Sequence, residues 1–360
     1  MVTPLSRAPG SPATGGPATG PVLRIGVLGC ADIAERKMLP ALLASPLIEL
    51  VAVASRTTAK AQAFATRFGC AAVTGYDQLL VRDDIDAVYI PLPAELHAGW
   101  TLRALRVGKH VLSEKPFAAS YREAAEAVAL AEERGLLAME SFMFLHHSQH
   151  REVQRLVADG AIGKLRAFTS DFAFPPLPTV GGRYLARRGQ ALLEVGVYPI
   201  RAAQLFLGES LTVRGAFLRV DPDRQVDVAG SALLVRPDGV TAQVTFGFEH
   251  FYRSTYALWG SEGRISLHRA FTTPDTYQPV IHLQRQDRRE ELTLSPDRQF
   301  ENVAGEFART ILERRNFRPQ HDAVLRQAAL IDAVRTAADP AGAGGVHEEK
   351  EPSMSHRSLA

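Results

Sequence analysis

Two side chains in this sequence carry transferable protons where a solvated surface position is not the only reading. The first is Lys115, in the run Val111-Leu112-Ser113-Glu114-Lys115-Pro116. Lysine is scarce here, with 6 against 35 arginines, yet this one directly follows an apolar run and precedes a proline. A solvated ion pair with Glu114 is the simplest account. In a crevice the same lysine would be desolvated, which favours its neutral form and moves it towards the range of a general acid; Glu114, if close, would oppose that shift. The second is Tyr198, four residues after Glu194 in "ALLEVGVYPIRAA". If that segment is helical, Glu194 and Tyr198 share a face. Pro199 has no amide hydrogen, so the helix is expected to kink or restart there. A tyrosine on a helix is ordinarily core, so Tyr198 matters only beside the lysine.

The third cluster is a turn. An apolar strand ends at Gly29-Cys30-Ala31-Asp32-Ile33-Ala34, before a helical pattern. A dinucleotide fingerprint reads Gly-x-Gly-x-x-Gly/Ala at such a place, so that backbone amides and a helix N-terminus approach a pyrophosphate. Here the first glycine is kept, and Ala31 and Ala34 take the other two positions. The next strand ends at Ser55-Arg56-Thr57, where NAD sites carry an acid that binds the ribose. A hydroxyl and a guanidinium would clamp a 2′-phosphate instead, which favours NADP(H) over NAD(H). The alternative is that Ser55 or Thr57 caps the following helix and Arg56 lies on the surface.

Other clusters carry less chemistry. His146, His147 and His150 lack the HExxH arrangement and have no carboxylate or cysteine at ligand spacing, so they read as polar residues at a helix start rather than a metal site. Trp100 and Trp259 have apolar neighbours and read as core. No Ser–His–Asp set or paired-carboxylate motif emerges.

The elements that must position these residues follow from the pattern of the chain. With 360 residues there is room for about two domains. Short apolar strands alternate with helical stretches up to about residue 145, the signature of a doubly wound parallel sheet. In open sheets of this kind ligands sit beyond the carboxyl ends of the strands. "IPLP" and "EKP", ending neighbouring strands, should then line one crevice with the Gly29 turn. Beyond residue 145 come helical stretches, a run of successive strands joined by "RPDG" and "GSEG", and two closing helices. That order predicts an α+β domain on an open, mostly antiparallel sheet, whose uncovered face is a natural dimerisation surface. The expected division is 1–21 disordered tail, 22–145 dinucleotide-binding domain, 146–338 α+β substrate and oligomerisation domain, and 339–360 second tail.

The net charge of +2 leaves no footprint for nucleic acid. No apolar run approaches the roughly 20 residues a membrane span needs. The first 21 residues lack the apolar core of a secretory leader. Cys30 and Cys70 are too few for a disulfide framework and suit a reducing cytoplasm.

The Gly29 turn, "GKHVLSEKP", "GAIGKLRAFTSDF" and "ALLEVGVYPIRAA" together resemble the glucose–fructose oxidoreductase / inositol dehydrogenase family over residues 23–338. Within it, "FMFLHHSQHREV", "GVTAQVTFGFEHFYRS" and "TYQPVIHLQRQD" look most like the C-3 ketoreductases that act on dTDP-linked keto-deoxysugars in antibiotic pathways. The resemblance implies that Lys115 is the catalytic lysine and that Tyr198 contacts the reacting sugar, where other members carry a histidine. Tyrosine and lysine stay protonated at neutral pH, so such a site donates protons and reads as a carbonyl reductase. Lys115 is assigned as donor and Tyr198 as the hydroxyl that orients the carbonyl, roles that the two could exchange or share.

It further implies cofactor contacts at Gly29, Cys30, Ala31, Asp32, Ile33, Ala34, Ser55, Arg56, Tyr76, Leu92, His97, Glu114, Arg183 and Glu194. Substrate contacts are implied at Arg36, at Tyr198, and at Thr276, Tyr277 and Gln278. Glu194 stands where the family usually has aspartate, and Gln190 and Ala31 replace glycines. The expected activity is NADPH-dependent reduction of the C-3 ketone of a dTDP-3,4-diketo-2,6-dideoxyhexose, by a cytoplasmic homo-oligomer without a metal. An aldose or polyol dehydrogenase is the nearest alternative, and a non-catalytic dinucleotide-binding sensor the more distant one.

Overall fold

The computed structural model describes residues 20–175 and 190–339. Arg183 and nearly all of the two terminal stretches lie outside the described residues.

The first sheet is built from β1 (Leu23–Leu28), β2 (Ile48–Ser55), β3 (Ala71–Thr74), β4 (Ala87–Ile90), β5 (His110–Glu114) and β6 (Ala138–Ser141). All pairings are parallel and the order is β3-β2-β1-β4-β5-β6. The strand order therefore reverses between β1 and β4, the place where doubly wound sheets bind ligands. Strands covered on both faces must be apolar throughout, and β4 is buried at every position. The covering helices are α1 (Leu39–Ala44), α2 (Thr58–Phe68), α3 (Tyr76–Leu80), α4 (His97–Arg106) and α5 (Tyr121–Arg134). Their ends follow local chemistry. Ser120 caps α5 by accepting the Glu123 amide at 3.3 Å, while Glu123 returns a bond to the Ala119 amide. Gly135 then stops the helix in the left-handed region, with φ 64°.

Helix α6 (Ser148–Ala158) leads into β7 (Leu165–Ala173), and α7 (Val197–Leu207) precedes β8 (Thr212–Asp221), β9 (Val226–Val235), β10 (Thr241–Gly247), β11 (Arg253–Gly260), β12 (Gly263–His268), β13 (Val280–Arg285) and β14 (Arg288–Thr293). They form one sheet in the order β14-β13-β12-β11-β7-β10-β9-β8, antiparallel except for the β7–β10 pair. Helices α8 (Gln299–Leu312) and α9 (Arg318–Ala338) close the chain. The expected doubly wound domain followed by an open, mostly antiparallel sheet is what the chain forms.

Two of the differences from the sequence reading bear on how the second sheet packs. Strand β7, the hub between β10 and β11, was not among the strands read from pattern, because its polar alternation looks like surface until its partners are known. Trp259, read as core, is 65% exposed. Register explains why: it pairs with Ala167 and Arg264 on the uncovered face, while neighbouring Leu258 points to the buried one.

Candidate active site

Strand β1 delivers the chain to Gly29, whose φ of +124° is open only to glycine. A Cβ at Gly29 would also lie 2.8 Å from Leu92 Cδ2, so the turn and the strand-4 loop can approach only because the side chain is missing. The Gly29 amide donates to the Ala54 carbonyl at 3.0 Å, tying the turn to β2. A π-helical turn, Ala34–Met38, follows before α1.

At the end of β2, Ser55 is buried and Arg56 exposed. The Thr57 amide donates to Ser55 Oγ at 3.4 Å, and Thr57 itself makes no side-chain cap bond. Helix capping thus leaves the Ser55–Arg56 pair available at a strand end that carries no carboxylate. Arg56 hydrogen-bonds Tyr76, whose ring meets Trp100 edge-on at 5.0 Å. A glycine cradle that a Cβ would fill, with a guanidinium at the neighbouring strand end, fits a 2′-phosphorylated dinucleotide.

The two proline turns form the floor on the other side of the switch. His97 is 1% exposed and faces two carbonyl oxygens, Nδ1 to Pro116 at 2.7 Å and Nε2 to Leu92 at 2.6 Å. It thereby fastens the Leu92 turn to the Lys115–Pro116 turn. Glu114 accepts from the buried Tyr89 hydroxyl at 2.8 Å. Lys115 reaches away from β5 and donates to the Glu194 carbonyl at 3.0 Å, with its Nζ 5.2 Å from the Tyr198 ring centroid. An ammonium over an aromatic face is attracted by the ring quadrupole, so Lys115 and Tyr198 hold each other in place.

Tyr198 stands on a strengthened helix entrance. Leu192–Gly196 is a π-helical turn that runs directly into α7, a widening that accommodates the amide Pro199 lacks. Asp227 of β9 accepts the Leu192 amide at 2.6 Å and so caps this entrance. Gly196 lets the segment press onto the sheet, since a Cβ there would meet the Phe246 ring at 3.0 Å. The Tyr198 ring is 5% exposed, among Phe142, Phe144, Phe172 and Phe271 at centroid distances of 4.9 to 5.8 Å. Burial, helped by the Glu114 and Glu140 carboxylates, pushes its phenol far above the usual tyrosine range. Tyr198 is therefore a neutral hydroxyl donor at any working pH.

On the outer side of the crevice, Arg36 pairs with Asp32. Lys37 reaches Asp275 at 3.5 Å, and the Tyr277 amide donates to the Pro274 carbonyl. The Lys37 bridge brings the Thr276–Gln278 stretch towards the helix that carries Arg36. Two of the three histidines have structural partners: His147 accepts the Gln149 amide at the start of α6, and buried His150 binds the Tyr256 hydroxyl. Among the described residues no cluster suits a metal ion. Sequence reasoning missed Glu140, Tyr89 and Arg201, in the surroundings of Lys115 and Tyr198, and Asp227, which caps the entrance to α7. Glu140 left one trace, a carboxylate inside the apolar strand "LLAMES".

A dinucleotide crevice with proton donors at its far end is the working part of a pyridine-nucleotide oxidoreductase. The chain belongs to the GFO/IDH/MocA oxidoreductase family: residues 23–142 match its NAD-binding Rossmann domain and residues 150–266 its C-terminal domain. It is 53% identical to a dTDP-3,4-didehydro-2,6-dideoxy-alpha-D-glucose 3-reductase of Actinomadura kijaniata, over 88% of this chain and 96% of that one. The reductase of the same name from Streptomyces violaceoruber is 51% identical over 88% and 95% of the two chains. Among solved structures it is similar to the A. kijaniata 3-ketoreductase KijD10 in complex with NADP and TDP-benzene, with a TM-score of 0.84, 53% identity, and 88% and 98% coverage.

Proposed function

We infer that this chain is an NADPH-dependent 3-ketoreductase that converts a dTDP-3,4-diketo-2,6-dideoxyhexose into the dTDP-4-keto-2,6-dideoxyhexose. The observation that carries the reading is the meeting of Lys115 and Tyr198, at 5.2 Å, beyond the strand ends of a crevice whose β2 end offers Ser55 and Arg56. Bound NADPH supplies the hydride to C-3. The chain's own groups meet the negative charge that develops on the C-3 oxygen. Lys115 gives up a proton through Nζ and becomes an amine, while the Tyr198 hydroxyl orients the oxygen by donating a hydrogen bond. The aromatic walls around Tyr198 keep water from the reacting carbonyl. Arg36 and Thr276 to Gln278 take the sugar nucleotide, and Ser55 and Arg56 the 2′-phosphate. Such a reaction draws on the cytoplasmic NADPH pool. The uncovered face of the second sheet carries the contact between copies of the chain.

Turnover of the diketo sugar nucleotide, followed by NADPH absorbance and product mass, tests the reading. NADPH is expected to exceed NADH by about tenfold or more in kcat/KM, the worth of one charge-assisted hydrogen bond. Equal use of NADH would sink the phosphate clamp. Oxidation of free aldoses with NADP, without reduction of the keto-sugar, would overturn the reductase assignment.

A further inference from the structure

We propose that Glu140 is a positioning residue for the proton donors, holding the turn after Lys115 and setting through its own charge how readily the site releases a proton. The inference rests on the roles given above to Lys115 and Tyr198. Strand register places Glu140 opposite Ser113, at the carboxyl end of β6 and one position short of the β5 residue Glu114. The side chain is 9% exposed. Its Oε1 accepts the Phe117 amide at 2.8 Å, two residues beyond Lys115. Its Oε2 is buried with no hydrogen-bond partner among the described residues.

Each element packed around Glu140 brings a charged or titratable group. From β5 and its end come Glu114 and Lys115, and from α7 come Tyr198 and Arg201. From α9, His321 accepts the Ala138 amide at 3.2 Å, with Glu132 of α5 beyond it at 3.8 Å. Burial lifts the Glu140 carboxyl to about 7, against the pull of Arg201, the Phe117 amide and Lys115. An oxygen with no partner is costly as half of a carboxylate and tolerable as a neutral hydroxyl. Glu140 thus changes charge inside the working pH range. In its neutral form it leaves the donors as they are. Once ionised, it places a negative charge beside groups that must release a proton to an alkoxide, and its field already pushes the Tyr198 phenol up. Both donors become poorer acids, and reduction slows.

The test compares kcat/KM from pH 6 to 8 in the NADPH-loaded enzyme and its Glu140→Gln variant, which keeps an acceptor for the Phe117 amide. The wild type is expected to lose about tenfold across this window, the effect of one nearby charge. Glu140→Gln is expected to stay level, with NADPH affinity by fluorescence unchanged. An inflection that survives in Glu140→Gln overturns the proposal. So does a variant that is inactive at every pH and has lost NADPH affinity, because that is the mark of a structural role alone. A wild type without any keto-sugar turnover would sink the functional reading instead. In either case infrared spectroscopy should find a protonated-carboxyl band, absent in Glu140→Gln, that bleaches as the pH rises through about 7, and a missing band also overturns the proposal.

Discussion

Lys115 and Tyr198 contribute different things, and substitutions should separate them. Removing the ammonium in Lys115→Ala takes away both the proton and the cation above the ring, and kcat is expected to fall by about 10²- to 10⁴-fold, the usual worth of acid catalysis. Tyr198→Phe keeps the ring packed against Phe142 and Phe172 and deletes only the hydroxyl, so the loss should be smaller and confined to kcat and the keto-sugar KM. Stopped-flow hydride transfer at saturating NADPH measures both, and full activity in Lys115→Ala would sink the donor role. At this scale the sequence was informative where a residue was rare or conformationally restrictive. Lys115 before proline, Gly29 and the acid-free Ser55–Arg56 end were all visible. Glu140 and Asp227 were not, because a lone acid in a strand reads as solvent-facing until the pairing buries it. His97 was visible too, but its tie between the two proline turns was not, since its partners are backbone carbonyls, which leave no trace in residue identity.

Elements were legible in proportion to how local their causes are. Helix α5, Tyr121–Arg134, has local causes, because its capping serine and stop glycine lie in the sequence itself. Strand β7 escaped because its place depends on two non-local neighbours, β10 and β11. The uncovered face of the second sheet combines both situations. Period-2 alternation puts Phe217, Leu233 and Trp259 on one side, with exposures of 63%, 37% and 65%, among polar residues such as Ser231 and Thr245. Large apolar side chains on a flat sheet are costly in water and apt to be covered by another copy. Trp259→Arg is expected to shift the chain towards monomer in sedimentation analysis, with far-UV circular dichroism unchanged. A wild type that already sediments as a monomer at micromolar concentration would remove this interface.

Across the whole molecule, imidazoles serve as buried acceptors, and that choice sets the acid limit of the fold. The Leu137 amide donates to His110 Nδ1 at 2.8 Å, and the Gln149 amide to His147 Nδ1 at 3.2 Å; both bonds need an unprotonated nitrogen. Burial pushes His110 and His146 down to about 4 and His150 to about 3. In the unfolded chain these rings bind protons near the ordinary histidine value of about 6.5. Below that pH the unfolded state takes up protons the folded state refuses, so stability is complete above about 6.5 and is lost as the pH falls towards 4. At pH 5 each ring costs about 2 kcal/mol, or about 6 kcal/mol for three, against a typical total of about 5–15 kcal/mol. Glu140 acts with the opposite sign. Its folded value, about 7, lies above the unfolded one, so its burial penalty is relieved as the pH falls from 8 towards 5. That relief is about 3 kcal/mol at most, smaller than the histidine loss. Urea midpoints should therefore fall clearly between pH 7 and 5. In Glu140→Gln the fall should be steeper, because the opposing contribution is gone. Midpoints that stay level over this range would show that the three rings accept protons without unfolding.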